Sequence, residues 1–401
     1  MLDENSHETQ KNELSKKSKS LLIAVIIIIA TVGIIAFHEF NKRQNQPDYA
    51  SQFAVTNITT LIPSGGGRVA WSNQNVIAFS KFPNSSRFNG EIYTMNPDGS
   101  NIQNVTKGNS EVPHINNDIP EWSPDGKYIV FESVDPTLYN QLTLPTNEKQ
   151  AIAEGGSGID NNLWLITSNG SVAYELTHIT EGEASLHPYF SPSGKELFWS
   201  ARVLTSSGFQ WELEVADLLF SFHDPYLANI RAYQPLGTSL FYESHGFELN
   251  ENYVVFSSSA NPTAVEAPDC SCALNLFVLN LTTGKTVDLT NDHNVWNEHA
   301  SVSPDGKYIL WVSSFGHNFI PSSYWGLTLK TDYWIMDING SNKGEVTYFN
   351  TPGSNEYTGA RVIVADSSWS PGGRSFVAPV LILTLSGSYS KIVVINLNQT
   401  A

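Results

Sequence analysis

The chain is poor in cysteine and in positive charge. Its two cysteines, Cys270 and Cys272, stand together in "DCSC", so no framework of bridges holds the fold. One intervening residue strains a disulfide between them, while an oxidising compartment would permit it; bridge and free thiols both stay open. Lys and Arg number 22 against 39 Asp and Glu. From Gln44 onward the balance is 16 against 34, a net charge of −18. Such a surface repels polyanions, which argues against a nucleic-acid partner and against attraction to anionic headgroups. The H-E-x-x-H, P-loop and Cys/His metal spacings are also missing, so no cofactor or metal is expected. "GGSGI" (Gly155–Ile159) lacks the strand–turn–helix context of a nucleophile elbow and reads as loop.

Long apolar runs are scarce, with one exception. "LLIAVIIIIATVGIIAF" (Leu21–Phe37) is free of charge and follows Lys11, Lys16, Lys17 and Lys19. At about 1.5 Å per residue it spans about 25 Å, enough with its flanks to cross a hydrocarbon core. A cleaved secretory signal is the competing reading, against which stand the long charged lead and an apolar run beyond the usual length. An uncleaved anchor is expected, with a cytoplasmic tail (1–20), a transmembrane span (21–37) and a linker (38–50). Lysines before the span place the N-terminus in the cytoplasm and the rest outside it, in the periplasm or at the cell surface.

Glycine, proline and aromatics, by contrast, are plentiful: 28 Gly, 20 Pro and 46 aromatic residues in 401. This composition suits a β-rich body with many tight turns. A hairpin recurs along it. "PEWSPDGKYIVFES" (Pro120–Ser133), "PYFSPSGKELFWSA" (Pro188–Ala201), "ASVSPDGKYILWVSS" (Ala300–Ser314) and "SSWSPGGRSFVAPV" (Ser367–Val380) are clear copies. "VAWSNQNVIAFS" (Val69–Ser80) and "HGFELNENYVVFSS" (His245–Ser258) are eroded ones. Pro fixes φ at the second turn position and Gly accepts the left-handed conformation that closes the turn. A second hairpin follows the best copies, as in "NLFVLNLTTGKTVDLT" (Asn275–Thr290), ending in Leu-Thr or Val-Thr.

Four antiparallel strands per repeat, six times over, predict a six-bladed β-propeller spanning 51–401. A lone blade has two apolar faces, and closing a ring buries both. Trp71, Trp122, Phe131, Phe190, Phe256, Trp311 and Trp369 are then inter-blade core rather than a ligand platform. The last repeat lacks a fourth strand, and "SQFAVTNITTLI" (Ser51–Ile62) is expected to supply it. In the eroded third repeat "WELEVADL" (Trp211–Leu218) reads as the third strand, and segments 134–160, 202–235, 258–273, 314–331 and 350–366 read as long insertions, where specificity would lie.

The pattern "WSPDGKYIVF" followed by "IYTMNPDGSN…VT" resembles the TolB-like (PD40, WD40-like) propeller repeat. The resemblance covers nearly all of residues 51–398 and implies the fold, but little about function. TolB itself is a soluble periplasmic partner of a lipoprotein with an extra N-terminal α/β domain; here an apolar span stands in that place, so its role does not transfer. Prolyl-oligopeptidase relatives add an α/β-hydrolase domain to a similar ring, and no such domain is expected here.

In TolB-like repeats the strand entering the "SPDG" turn is innermost, so its first residues ring a mouth of the central channel. Four residues before the turn serine stand Arg68, His187, His299 and Asp366, with Asp118 one step further out and Ile119 interrupting the ring. His245 holds a comparable place in its eroded repeat, and Glu298 flanks His299. Either a water-filled channel solvates these side chains, or they converge on a ligand. Loop residues His317, Phe319, Tyr324 and Trp325 suit a protein or glycan surface, or else fold back on the ring. The reading that follows is an anchored, non-catalytic module that binds another envelope or surface protein, a small ligand or a glycan. The alternative is an enzyme like the oligogalacturonate lyases, which resemble this repeat, bind a metal through inner-strand histidines and act on acidic sugars. Ser301 stands where that family places a further His, and Asn297 is not its Gln.

Overall fold

A computed structural model describes residues 51–399, apart from 84–87, 153–154, 223, 260–272 and 318–327. The apolar run Leu21–Phe37, both cysteines, and Phe319, Tyr324 and Trp325 lie outside the described residues. Among the described residues no helix is long and apolar enough to cross a membrane.

Six antiparallel sheets form the ring. The first blade holds β2 (Gly66–Trp71), β3 (Ile77–Lys81), β4 (Glu91–Met95) and β5 (Gln103–Asn104). The second holds β6 (Asn117–Trp122), β7 (Tyr128–Val134), β8 (Asn161–Thr167) and β9 (Ala173–Glu175). The third holds β10 (Ala184–Phe190), β11 (Glu196–Thr205), β12 (Gly208–Ser221) and β13 (Asp224–Tyr233). The fourth holds β14 (Tyr242–Phe247), β15 (Tyr253–Ser259), β16 (Leu274–Asn280) and β17 (Thr286–Asp288), and the fifth β18 (Asn297–Val302), β19 (Tyr308–Ser313), β20 (Asp332–Asp337) and β21 (Gly344–Glu345). The sixth joins both ends of the ring: β22 (Arg361–Val364) and β23 (Ser368–Trp369) pair with β24 (Ser375–Thr384), then β25 (Gly387–Gln399), and β1 (Phe53–Ile62) is the outer strand. β1 runs antiparallel to β25 from Phe53 opposite Gln399 to Ile62 opposite Ile392.

The turn chemistry explains the repeat. Gly306 takes φ +69° and its amide donates to the Ser303 carbonyl at 2.8 Å. The Ser303 hydroxyl donates to Asp305 at 2.7 Å and accepts from the Tyr308 amide at 3.0 Å. Ser123, Asp125 and Tyr128 repeat these bonds. The recurring terminal threonine is equally mechanical: Thr177, Thr290 and Thr347 accept the amides of Leu163, Leu276 and Tyr333 at 2.8–3.0 Å. Each thus pins the outermost strand to the third, where the ladder is only two or three residues long.

The core is divided among the seams. Each of the six inter-blade interfaces carries its own apolar cluster, such as Trp311 and Trp334 of the fifth blade with Val255 and Leu276 of the fourth. Phe131, Phe256 and Trp311 are almost completely buried. Middle strands such as β19 are buried on both faces because a blade packs on each side.

Two expected insertions are not loops. Residues 202–235 continue as β11, β12 and β13, paired from Glu196 opposite Asp217 to Thr205 opposite Gly208; backbone pairing outlasts the apolar alternation that marks strands in sequence. Segment 350–366 contains β22. Segment 134–160 holds two short helices, α1 (Pro136–Gln141) and α2 (Thr146–Ile152). Asp135 caps α1, its carboxylate accepting the Thr137 amide at 2.7 Å.

Candidate functional site

Every innermost strand carries one extra residue. The register slips between Gly66 and Val69, Asp118 and Glu121, Leu186 and Tyr189, Ser244 and Phe247, Glu298 and Ser301, and between Val364 and Ser368. A bulge re-aims side chains that strict alternation would send to opposite faces. Ile119, His187 and His299 sit in it with φ near +52°, a conformation that non-glycine residues hold only when their surroundings impose it. As a result the neighbours Glu298 and His299 point into one cluster, their side chains 3.1 Å apart.

The bulges bring six of the sequence-chosen residues, Arg68, His187, His245, Glu298, His299 and Asp366, together with Glu243. His299 Nδ1 is 2.9 Å from Asp366 Oδ1 and 3.4 Å from Glu243 Oε1. His187 Nδ1 is 3.5 Å from Glu243 Oε1 and 3.6 Å from Asp366 Oδ1. Arg68 pairs with Asp366 from the far side. The His245 ring centroid lies 6.1 Å from that of His299 and 6.5 Å from that of His187. Its place is one residue off: counted along the strand, Ser244 matches His187 and His299 but stays paired with Phe256, so that His245 and Gly246 form the bulge, and Ser244 donates to the His187 carbonyl at 2.7 Å. Asp118 lies close enough to Glu132 to raise its pKa by charge repulsion. Ile119 keeps the bulge conformation without contributing a polar group.

Sequence reading missed Glu243 and Glu132. Glu243 matches Glu298 in register, each paired to the fifth residue of the following strand, and an aligned repeat would have revealed it. Glu132 sits fully buried in β7, a carboxyl inside the apolar run "YIVFESV". It accepts the His187 amide at 2.6 Å and the Asn161 side chain at 3.2 Å. A second tier lies beside the cluster, where burial pushes Glu121 up to about 8 and raises Tyr189.

The electrostatics are those of a site short of a cation. Asp118, Glu132, Glu243, Glu298 and Asp366 are all buried, and Arg68 is the one guanidinium paired with them among the described residues. Burial drives Glu132 and Glu243 well above the carboxylate range. It drives His187 well below 6.5 and His245 to about 3, the Arg68 charge adding to both, and lowers His299. Burial also opposes ionisation of Glu298, but the adjoining His299 outweighs it and holds that carboxyl at about 2. Neutral imidazoles offer lone pairs. His187 Nδ1, His245 Nδ1, His299 Nδ1 and Glu243 Oε1 are buried with no hydrogen-bond partner. Donor atoms of His187, His299 and Asp366, and likewise of His187, Glu243 and His245, lie within 4.8 Å of one another. Ligand atoms on a cation with bonds of about 2.1 Å stand about 3.0–3.4 Å apart, close to the separations found. The second nitrogens are held from outside, His299 Nε2 by Glu298 at 3.1 Å and His245 Nε2 by Ser257 at 3.0 Å, as metal-ligating imidazoles usually are.

Other sequence candidates sit elsewhere. His317 turns inward rather than lining a loop surface, its Nε2 3.0 Å from the buried Asp332; Asp332 in turn accepts Thr347 and the Phe349 amide. Asn297 faces its own blade and accepts Trp311 Nε1 at 3.0 Å and Ser313 at 2.7 Å. Gly156 passes beside the Arg68 guanidinium, so insertion 134–160 reaches the cluster.

No family model matches the chain. A curated relative, dipeptidyl-peptidase 5 of Porphyromonas endodontalis, is 22% identical over 332 residues, covering 74% of this chain and 43% of that protein. The chain therefore spans less than half the length of this relative. Among solved structures, a TolB-type protein from Agrobacterium tumefaciens aligns over 84% of this chain and 95% of its own, with 13% identity and a TM-score of 0.51. An oligogalacturonate lyase in complex with manganese aligns over 86% and 95%, with 10% identity and a TM-score of 0.43; at that level the likeness says nothing about chemistry.

Proposed function

We propose that this TolB-like six-bladed ring is a ligand-binding module, displayed outside the cytoplasm on the Leu21–Phe37 anchor, whose channel mouth holds a divalent transition-metal ion. His187, His299, Asp366 and Glu243 would bind the ion, with His245 as a further donor. The observation that carries this reading is the convergence of unpartnered buried nitrogens of three histidines on the unpartnered Glu243 Oε1 and on Asp366 Oδ1. Leaving such atoms unpaired is costly in an apolar interior, by roughly 1–3 kcal/mol for each neutral group, and a cation satisfies them together. A bound divalent ion supplies a Lewis-acid position for an oxygen ligand. Arg68 stands beside it, so an anionic ligand such as the carboxylate of a glycan or of a peptide terminus would suit the mouth.

Element analysis of the full chain, purified in detergent without chelator, tests the reading. About one equivalent of Mn, Zn or a related ion is expected, falling to background in His187→Ala/His299→Ala. A folded wild-type chain that retains no ion and binds neither Mn nor Zn on titration would overturn it.

A second reading is an enzyme acting on acidic sugars, and the proximity of Arg68 to the donor set favours it. Incubating the metal-loaded chain with oligogalacturonate and following the ultraviolet absorbance of an unsaturated product separates the two. Turnover lost in Arg68→Lys would favour the enzyme.

A further inference from the structure

The register leaves the His187 peptide out of its own blade's ladder. β10 pairs Leu186 with Ser200 and Tyr189 with Phe198 in β11, so His187 and Pro188 have no partner opposite. Pro188 has no amide to satisfy. His187 is buried, and both polar groups of its backbone need partners. They find them in the blades on either side. The His187 amide donates to Glu132 Oε1 of the second blade at 2.6 Å, and the His187 carbonyl accepts the Ser244 hydroxyl of the fourth at 2.7 Å.

Both grips are themselves held. Glu132 Oε2 accepts the Asn161 side chain at 3.2 Å. Ser200, in the third blade, accepts the Ser244 amide at 2.7 Å and donates to Ser244 Oγ at 3.1 Å. Glu132, Ser200 and Ser244 are fully buried, so solvent does not compete for these bonds. The strand position is a recurring one. Glu132, Ser200 and Ser257 are each the fifth residue of a second strand, and each holds part of an inner strand: the His187 amide, the Ser244 amide and, at 3.0 Å, His245 Nε2. The fifth blade has Val312 there, which offers neither donor nor acceptor.

We propose that Glu132 and Ser244 are positioning residues of the cluster: gripping the His187 peptide from both sides, they keep its φ at +52° and so aim Nδ1 at the ion. This rests on the metal reading. Neither residue belongs to the groups of donor atoms that converge; each acts through His187. The grip matters because φ sets the direction of Cβ. A non-glycine residue released from its surroundings returns to negative φ. That rotation swings the imidazole about the backbone and withdraws Nδ1 from Glu243 Oε1 and Asp366 Oδ1, which it meets at 3.5 and 3.6 Å. His187 also stacks on His299, ring centroids 5.8 Å apart, so a displaced His187 disturbs the second imidazole as well.

The test measures Mn and Zn dissociation constants by chelator competition on the full chain in detergent. Urea unfolding of the metal-free protein and the visible spectrum of the Co(II)-loaded protein are recorded beside them. Glu132→Leu keeps the bulk and loses the acceptor; it should bind about 10–100-fold more weakly and alter the cobalt spectrum, which reports the ligand set. Glu132→Gln keeps an acceptor oxygen at the same reach and should restore the parent's affinity and spectrum. Ser244→Ala should weaken binding in the same direction, and it decides the matter if Glu132→Leu does not fold. Thr177→Val, which loses a bond to the Leu163 amide in the outer part of the second blade, should lose stability without losing affinity. Parent-like affinity in folded Glu132→Leu or Ser244→Ala overturns the positioning role and leaves the metal reading standing. Glu132→Gln as weak as Glu132→Leu overturns it too, because the ion would then need the carboxylate charge and not the grip on His187. A folded parent that takes up no ion overturns the metal reading and the positioning role with it.

Discussion

His299 Nδ1 and Asp366 Oδ1 stand 2.9 Å apart, although one belongs to the fifth blade and the other to the sixth. The contact crosses a seam of the ring, and the other members come from the first blade (Arg68), the second (Glu132), the third (His187), the fourth (Glu243 and His245) and the fifth (Glu298). The site therefore exists only when the ring is closed, and the closing element is β1, paired along β25.

Removal of residues 51–62 should accordingly disable more than one edge. Ile62 is buried in the seam between the sixth and first blades beside Ile392, and its loss opens that seam. Thermal melting followed by circular dichroism should show the midpoint lowered by many degrees, or no cooperative transition. An unchanged midpoint would show that the ring does not depend on its clasp.

Packing and site residues in one blade should separate. Trp311 is 2% exposed, and its Nε1 donates to Asn297 at 3.0 Å. Trp311→Ala should cost about 3–5 kcal/mol in urea unfolding. His299→Ala removes little apolar surface, and Glu298 keeps its bond from Trp296 at 2.9 Å. Loss of its bond to the buried Glu298 should cost the metal-free variant about 1–3 kcal/mol, less than Trp311→Ala. A much larger loss would make His299 a structural residue.

These two residues also mark what the sequence could disclose. Trp311 follows a turn whose Ser, Pro, Asp and Gly each have a local mechanical role, so the hairpin, its count and the ring were legible. His299 was legible by its offset from that turn, as were His187, Arg68 and Asp366. Glu243 was not, because its blade has lost the turn and with it the reference point for counting. Glu132 was not, because a second-strand position points to the channel only once the inner strand bulges, and the bulge is a register slip between strands that no single strand displays. The third blade was legible in part: Trp211–Leu218 read as its third strand and lies within β12, but β13 was taken for insertion, because it is largely exposed and lacks apolar alternation, so pairing, not pattern, defines it.

Glu214 offers a pH test remote from the cluster. Burial, with repulsion from Glu212, raises it to about 7. The folded state thus holds this proton more tightly than the unfolded chain, whose value is near 4.5. The stability it contributes is full below that value and is lost as the pH rises through 7. Glu214→Gln stays neutral throughout. It should be more stable than the parent at pH 8 by about 1–2 kcal/mol, allowing for solvent screening, and equal within about 0.5 kcal/mol at pH 5. A variant less stable at pH 8 would contradict the assignment.

Metal should stabilise the ring by mass action. An ion at about 100 times its dissociation constant adds about 2.7 kcal/mol to a protein that binds it only when folded. The melting midpoint of the chelator-treated chain should rise on adding Mn or Zn, and His187→Ala/His299→Ala should remove the rise. An equal rise in that variant would place the ion elsewhere.

The most direct measurement is an anomalous-difference map from crystals of the chain soaked in manganese or zinc. The account predicts a peak at coordinating distance from His187 Nδ1, His299 Nδ1, Asp366 Oδ1 and Glu243 Oε1, on the channel axis. A map without density there, with the four atoms hydrogen-bonded to ordered water instead, would contradict it.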